Sequence, residues 1–146
     1  MLATTQDIEA FIRDFEACSL PKSRWTHHAH LLVGLWYLTH HSVDEALGIV
    51  RQRIRTYNEA VGTANTDSGG YHETLTRFFL SGIAAHIDQH RSESLPVSLA
   101  LLWQSPLASK EYPLAFYSRE RSFSNAARHQ WLEPDLAPNE PNRNAG

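Results

Sequence analysis

The chain has 146 residues, one cysteine, 42% hydrophobic residues and a formal net charge of -3. A chain of this length forms one domain that can bury a core without disulfides or a structural metal. The slightly acidic charge gives no electrostatic footprint for a nucleic acid or an anionic membrane, so we expect neither as a partner. The single cysteine, and a start from Met1 to Asp7 without the segments of a signal peptide, predict a cytoplasmic protein.

Helical spacing of apolar residues predicts the first two helices. The first follows a capping threonine, Thr4 or Thr5, and should end near Ser19, before a Leu-Pro pair. The second includes residues 25–38 and is apolar on nearly every face. A helix that is apolar all round is usually buried, so we predict that it lies at the centre of the domain.

The third and fourth helices are predicted on either side of a polar loop. Ser42 and Glu45 have the spacing of a capping box and begin the third helix, which Gly62 should end. The loop, residues 63–70, is rich in Asn, Asp, Ser, Thr and Gly. The fourth helix should then occupy residues 71–91.

A fifth helix is predicted to begin at Ser94, with Pro96 in its first turn, and a shorter one to occupy residues 124–131. No segment has the alternating pattern of a strand. We therefore predict an all-α fold, an antiparallel bundle of four to five main helices with a short C-terminal helical cap. Residues 1–133 would form this single domain, and residues 134–146, rich in proline and asparagine, an extended tail.

Short connections between consecutive helices favour antiparallel neighbours. The second and fourth helices would then begin at the same end of the bundle, where the third helix ends. This arrangement gathers polar and aromatic residues from distant parts of the chain: Trp25, Thr26, His27, His30, Tyr57, Asn58, Asn65, Thr66, Tyr71, His72 and Glu73. The opposite end would hold a rival group of histidines, His40, His41, His86 and His90.

Three of the gathered histidines could ligate a metal. His27 and His30 are three residues apart and can share one helical face, and His72 could approach from the parallel helix. Two or three neutral imidazoles suit a divalent transition metal such as Zn or Fe, which could activate water or bind dioxygen at an open position. The sequence thus predicts a metal-assisted enzyme as one hypothesis.

Acid/base catalysis without a metal is a second form of this hypothesis, with His72 and Glu73 as the catalytic groups. A bound small molecule would be oriented by seven further residues: Trp25, Tyr57, Asn58, Asn65, Thr66, Thr76 and Arg77. The first alternative is a non-catalytic module that binds a small anion at the paired helix N-termini. The second is an interaction protein with incidental histidines, and an apolar patch by Trp103 or Trp131 could support a homodimer.

Two histidine motifs also carry a family resemblance. Trp-Thr-His-x-Ala-His-Leu at residues 25–31 and Gly-Tyr-His-Glu-Thr at residues 70–74 resemble motifs of a family of short uncharacterised bacterial proteins. The similarity covers most of the chain from Phe15 to Leu136. It implies a compact all-helical domain and transfers no reaction.

Overall fold

The computed structural model describes residues 3–136, and within them every regular element is helical. The predicted all-α bundle is confirmed, with five main helices and two short ones near the C-terminus. The helices are α1 (Thr5–Glu16), α2 (His27–His40), α3 (Val43–Ala60), α4 (Glu73–Gln89), α5 (Leu95–Trp103), α6 (Arg119–Ser122) and α7 (Asn125–His129). Three 3₁₀ turns join them, at Lys22–Arg24, Pro106–Ala108 and Tyr112–Ala115.

Helix starts follow local sequence signals closely. Thr4 caps α1 and Ser42 caps α3, each within a complete capping box. Thr26 caps α2 by accepting from the Ala29 amide. These side chains satisfy backbone N–H groups that have no carbonyl partner in the first turn, which stabilises a helix by about 1 kcal/mol per cap.

The second helix is central, as its sequence predicts. It packs against α1, α3, α4 and α5, and Leu31, Val33 and Leu35 are almost fully buried. Gly34 allows α4 to come close, because a Cβ there would lie 2.7 Å from Cδ1 of Ile83. The close contact between α2 and α4 holds their first turns side by side.

Several helix boundaries differ from the prediction by one to three residues. The fourth helix starts at Glu73 rather than near Tyr71, because His72 is extended and caps the helix with its own ring. The first helix ends at Glu16 rather than near Ser19. The chain leaves the helical conformation there, and Cys18 has a left-handed φ of 60°.

The C-terminal segment packs along the start of α4. Thr74 Oγ1 donates to the Gln130 carbonyl at 2.6 Å and accepts from the Leu132 amide at 3.1 Å. Asp135 accepts from the backbone amide of Ser118 at 2.8 Å, so the first residues of the predicted tail contact the domain. The rest of that tail lies outside the described residues. None of the helices in residues 3–136 has the length and apolar character needed to cross a membrane.

Candidate functional site

A cavity of about 440 Å³ lies where α2 and α4 begin and α3 ends. We call it the histidine cavity, because His27, His30 and His72 all line it. Much of its wall is apolar and comes from the three central helices, through Leu31, Val50, Ile54, Phe79, Leu80 and Ile83.

Six of the eleven residues to which the sequence assigned a role at the site line this cavity: Trp25, His27, His30, Asn58, His72 and Thr76. Tyr71, which was predicted to lie at this end of the bundle, lines it too. Those from α2, α3 and α4 are separated in the sequence, and they meet because α2 and α4 are parallel neighbours with α3 antiparallel to both. Five other predicted residues do not line it, and each has a different role described below: Tyr57, Asn65, Thr66, Glu73 and Arg77.

His30 has a fixed tautomer. Its Nδ1 lies 2.7 Å from the Thr26 carbonyl oxygen, and because a carbonyl only accepts hydrogen bonds, Nδ1 carries the proton. Nε2 is therefore the unprotonated nitrogen of the neutral ring. His30 is an exposed residue that lines the cavity, and its ring packs against that of Trp25 with centroids 3.9 Å apart. Partial removal of the ring from water by the surrounding protein lowers the pKa of His30 to about 4, so the ring is neutral at pH 7.

His27 is held in the opposite tautomer. Its Nε2 donates to the Leu107 carbonyl oxygen at 2.8 Å, which leaves Nδ1 unprotonated. Partial burial lowers the pKa of His27, and the charge of Lys110 acts in the same direction, although the hydrogen bond to Leu107 opposes both. Phe79 packs its ring edge-on against the imidazole at a centroid distance of 4.9 Å.

His72 uses both ring nitrogens within the fold. Nδ1 accepts from the Leu75 amide at 3.1 Å, and Nε2 donates to the Ser122 carbonyl at 2.8 Å. Burial lowers its pKa, which agrees with a neutral ring. His72 therefore caps α4 and ties it to α6, and it has no nitrogen left for a ligand.

Glu73 is bound by two neighbours behind the cavity wall. Arg51 of α3 donates to both carboxylate oxygens, at 2.9 and 2.7 Å, and the Tyr71 hydroxyl donates at 2.8 Å. Burial alone would raise the pKa of Glu73, but these hydrogen bonds outweigh it and hold the pKa below its usual range. The carboxylate is ionised and reaches the cavity only through Tyr71.

The predicted loop residues shape the loop rather than the cavity. Asn65 Oδ1 accepts from Asn58 Nδ2 and from the Tyr71 amide, both at 3.0 Å. Thr66 Oγ1 accepts from the amides of Ser68 and Gly69, at 3.3 and 3.1 Å. Asn65 therefore positions two residues that do line the cavity.

Tyr57 and Arg77 pack elsewhere. Tyr57 is fully buried, and its hydroxyl donates to the Leu20 carbonyl at 2.8 Å. The guanidinium of Arg77 lies over the ring of Trp131, 4.6 Å from the centroid. Both residues support packing around the cavity rather than forming its surface.

The predicted Zn or Fe site stays a prediction. Among residues 3–136, no three His, Cys, Asp or Glu side chains are arranged to hold one metal ion. His72 has no free ring nitrogen, whereas His27 and His30 keep one each. A metal at this site would therefore rest on two imidazoles from the same helix.

Two charged residues of the cavity were missed by the sequence reasoning. Lys22 and Lys110 both line it, one from the 3₁₀ turn before α2 and the other from beyond α5. The composition offered one signal: of the 13 lysines and arginines in the chain, only these two are lysines. The carbonyls of Leu107 and Ser122, which fix two imidazoles, leave no comparable trace in the sequence.

Comparison with known proteins assigns no family to the chain: no family model, no curated protein and no solved structure matches it. The resemblance of its two histidine motifs to short bacterial helical proteins stays a prediction. The functional interpretation therefore depends on the geometry of the histidine cavity.

Proposed function

We propose that the protein is an enzyme that performs acid/base chemistry on a small organic molecule bound in the histidine cavity. One observation carries this proposal. His27 and His30 both line the cavity, and each keeps one unprotonated ring nitrogen because its other nitrogen donates to a backbone carbonyl. The volume of about 440 Å³ suits a small ligand, since such sites usually measure about 300 to 1,000 Å³.

The chemical step is a proton transfer. The unprotonated nitrogen of His30 or His27 accepts a proton from a C–H or O–H group of the substrate, and the electron pair of that bond stays on the substrate. The carbonyl of Thr26 or Leu107 stabilises the imidazolium that forms, because it accepts from the ring's other N–H. The imidazolium then returns the proton to the product.

His72 and Glu73 support this step without touching the substrate. His72 holds the start of α4 against α6, and Glu73 holds the Tyr71 hydroxyl. The proposal thus transfers the predicted catalytic role from these two residues to His27 and His30. A metal on His27 and His30 would occupy the same two nitrogens, so metal binding and proton acceptance exclude each other at this site.

Proton abstraction can be tested before the natural substrate is identified. The protein is incubated in D₂O with a panel of small ketones, keto acids and aryl acetates, and exchange of the α-proton is followed by NMR. We expect exchange of at least one compound above the buffer rate, with a loss of roughly 100-fold or more in His30→Gln with His27→Gln, the usual size of general base catalysis. Chelator should leave the rate unchanged.

His90→Gln is the matched control, because His90 lies at the other end of the bundle and does not line the histidine cavity. It should exchange at the parent rate. Exchange no faster than buffer for the whole panel, or equal exchange by the parent and the double variant, would overturn the proposed chemistry.

A further inference from the structure

The geometry points to an anionic substrate: a small organic acid whose apolar part fills the histidine cavity and whose negative group pairs with Lys22 and Lys110. This inference rests on the proposed function, since it names the substrate class of the same cavity. It adds two binding residues that neither the motifs nor the acid/base chemistry requires.

The placement of the two lysines is the first observation. They are the only lysines of the chain and come from distant parts of it, yet both line one cavity. Both side chains are exposed, and within residues 3–136 neither ammonium group forms a salt bridge. Lys110 lies close enough to His27 for its charge to contribute to the lowered pKa of that ring.

The absence of a compensating charge is the second observation. No aspartate or glutamate of the described residues lines the cavity. The nearby carboxylate of Glu73 is neutralised by Arg51, with the two groups 2.7 Å apart. The cavity therefore has a positive field, to which the N-termini of α2 and α4 add their partial positive charge.

The apolar wall is the third observation, and it separates an organic acid from a free inorganic anion. Leu31, Ile54, Leu80 and Ile83 are nearly completely buried apart from the surface they give to the cavity. An apolar ligand body there gains affinity as it leaves water, roughly fourfold for each added methylene group. Phosphate or sulfate alone would gain nothing from this surface.

A bound anion would also raise the pKa of the proposed base, His30. The pKa of His30 is about 4, which makes the ring a weak proton acceptor. A negative charge nearby favours the imidazolium and raises that pKa toward neutrality. An acidic substrate would thereby increase the basicity of the group that we propose acts on it.

Calorimetry on the full chain tests the inference with straight-chain carboxylates from butanoate to octanoate and the matching alcohols. We expect affinity to rise with chain length until the cavity is filled, and each acid to bind about tenfold or more tightly than its alcohol. Hexyl phosphate serves as a further probe. Hexyl phosphate should also bind more tightly than hexanol, and hexyl phosphate that binds no more tightly than hexanol would overturn the anionic substrate.

Charge-removing and charge-keeping variants assign the effect to the lysines. Lys22→Gln with Lys110→Gln should abolish the preference for acid over alcohol, whereas Lys22→Arg with Lys110→Arg should keep it. Arg91→Gln removes a positive charge at the opposite end of the bundle and should behave like the parent. An acid that binds no tighter than its alcohol, or a preference that survives the glutamine pair, would overturn the inference.

The two proposals fail in different ways. If base-dependent deuterium exchange occurs but acids have no advantage over alcohols, only the anionic substrate is wrong. If acids bind through the lysines but no compound exchanges, only the proposed acid/base chemistry is wrong, and the protein is a binding module for organic anions.

Discussion

The two ends of the bundle both carry histidines and a cavity of similar size. The far cavity, lined by His41, Asp88, His90, Arg91, Glu93 and Ser98 among others, has about 460 Å³ against about 440 Å³ for the histidine cavity. Its charges are mixed in sign, and Arg91 pairs with Asp88 in solvent. The histidine cavity has cations and no carboxylate from the described residues.

The histidines also differ in what holds them. At the far end His86 donates to the Ser98 carbonyl at 2.9 Å, and His41 lies 3.6 Å from the Glu45 carboxylate on an exposed surface. At the histidine cavity, backbone carbonyls fix two rings that also line the cavity. Neither histidine count nor cavity volume separates the two ends. They differ in charge balance and in whether the rings fixed by carbonyls line the cavity, as His27 and His30 do and His86 does not.

The largest stability difference between the ends should come from His72. His72→Ala removes the cap of α4 and leaves the Ser122 carbonyl without its donor, so we expect the free energy of unfolding to fall by roughly 2 to 4 kcal/mol. His41→Ala, exposed at the far end, should change it by less than about 0.5 kcal/mol. Urea denaturation followed by circular dichroism measures both. Equal effects of the two substitutions would show that His72 does not hold α4 as described.

Two glycines give a second contrast, in which each single effect is somewhat smaller. Gly70 has a φ of 80°, and a Cβ there would lie 2.5 Å from the Ala64 carbonyl oxygen, so Gly70→Ala should cost roughly 2 to 3 kcal/mol. Gly48, in the first half of α3, has no atom within 4 Å of such a Cβ. Gly48→Ala should therefore stabilise the protein by roughly 0.5 to 1 kcal/mol. Thermal denaturation of both variants tests this, and destabilisation by Gly48→Ala would contradict the open space described there.

The remaining effect is a dependence of stability on pH. Burial lowers the pKa of His27, His30, His72 and His86 in the folded protein. In the unfolded chain these histidines have the ordinary pKa of about 6.5, so as the pH falls below that value the unfolded chain binds more protons than the folded one. Stability should fall as pH falls from about 6.5 toward the pKa of about 4 of His30, with no further loss from His30 below that value.

Single variants show how much of this pH dependence comes from His30. His30→Gln should flatten the pH dependence of the denaturation midpoint, because His30 is the cavity histidine with the largest lowering of its pKa. His28→Gln is the neighbouring control, since His28 is exposed and does not line the histidine cavity. An unchanged slope in His30→Gln would mean that the surrounding protein does not lower the pKa of His30.

The elements that the sequence predicted best were those with local causes. The capping boxes at Thr4 and Ser42 and the apolar character of α2 depend on residues within one or two turns. The meeting of His27, Asn58 and His72 at one cavity followed from helix order and short connections alone. The start of α4 was predicted two residues too early, at Tyr71 instead of Glu73. The reason is that the ring of His72 caps this helix, a role more usual for serine, threonine or asparagine.

What only the tertiary structure decided is which polar atoms remain free. His27 and His72 are equally suited to chemistry as residue types, and each donates from one ring nitrogen to a distant carbonyl, that of Leu107 or Ser122. His72 also accepts from the Leu75 amide as the cap of α4, so it has no nitrogen left, whereas His27 keeps one. Glu73 does not line the cavity, because its carboxylate pairs with Arg51 of α3. Such partners are far apart in the chain and meet only through packing, whereas the helices themselves form from neighbours along the sequence.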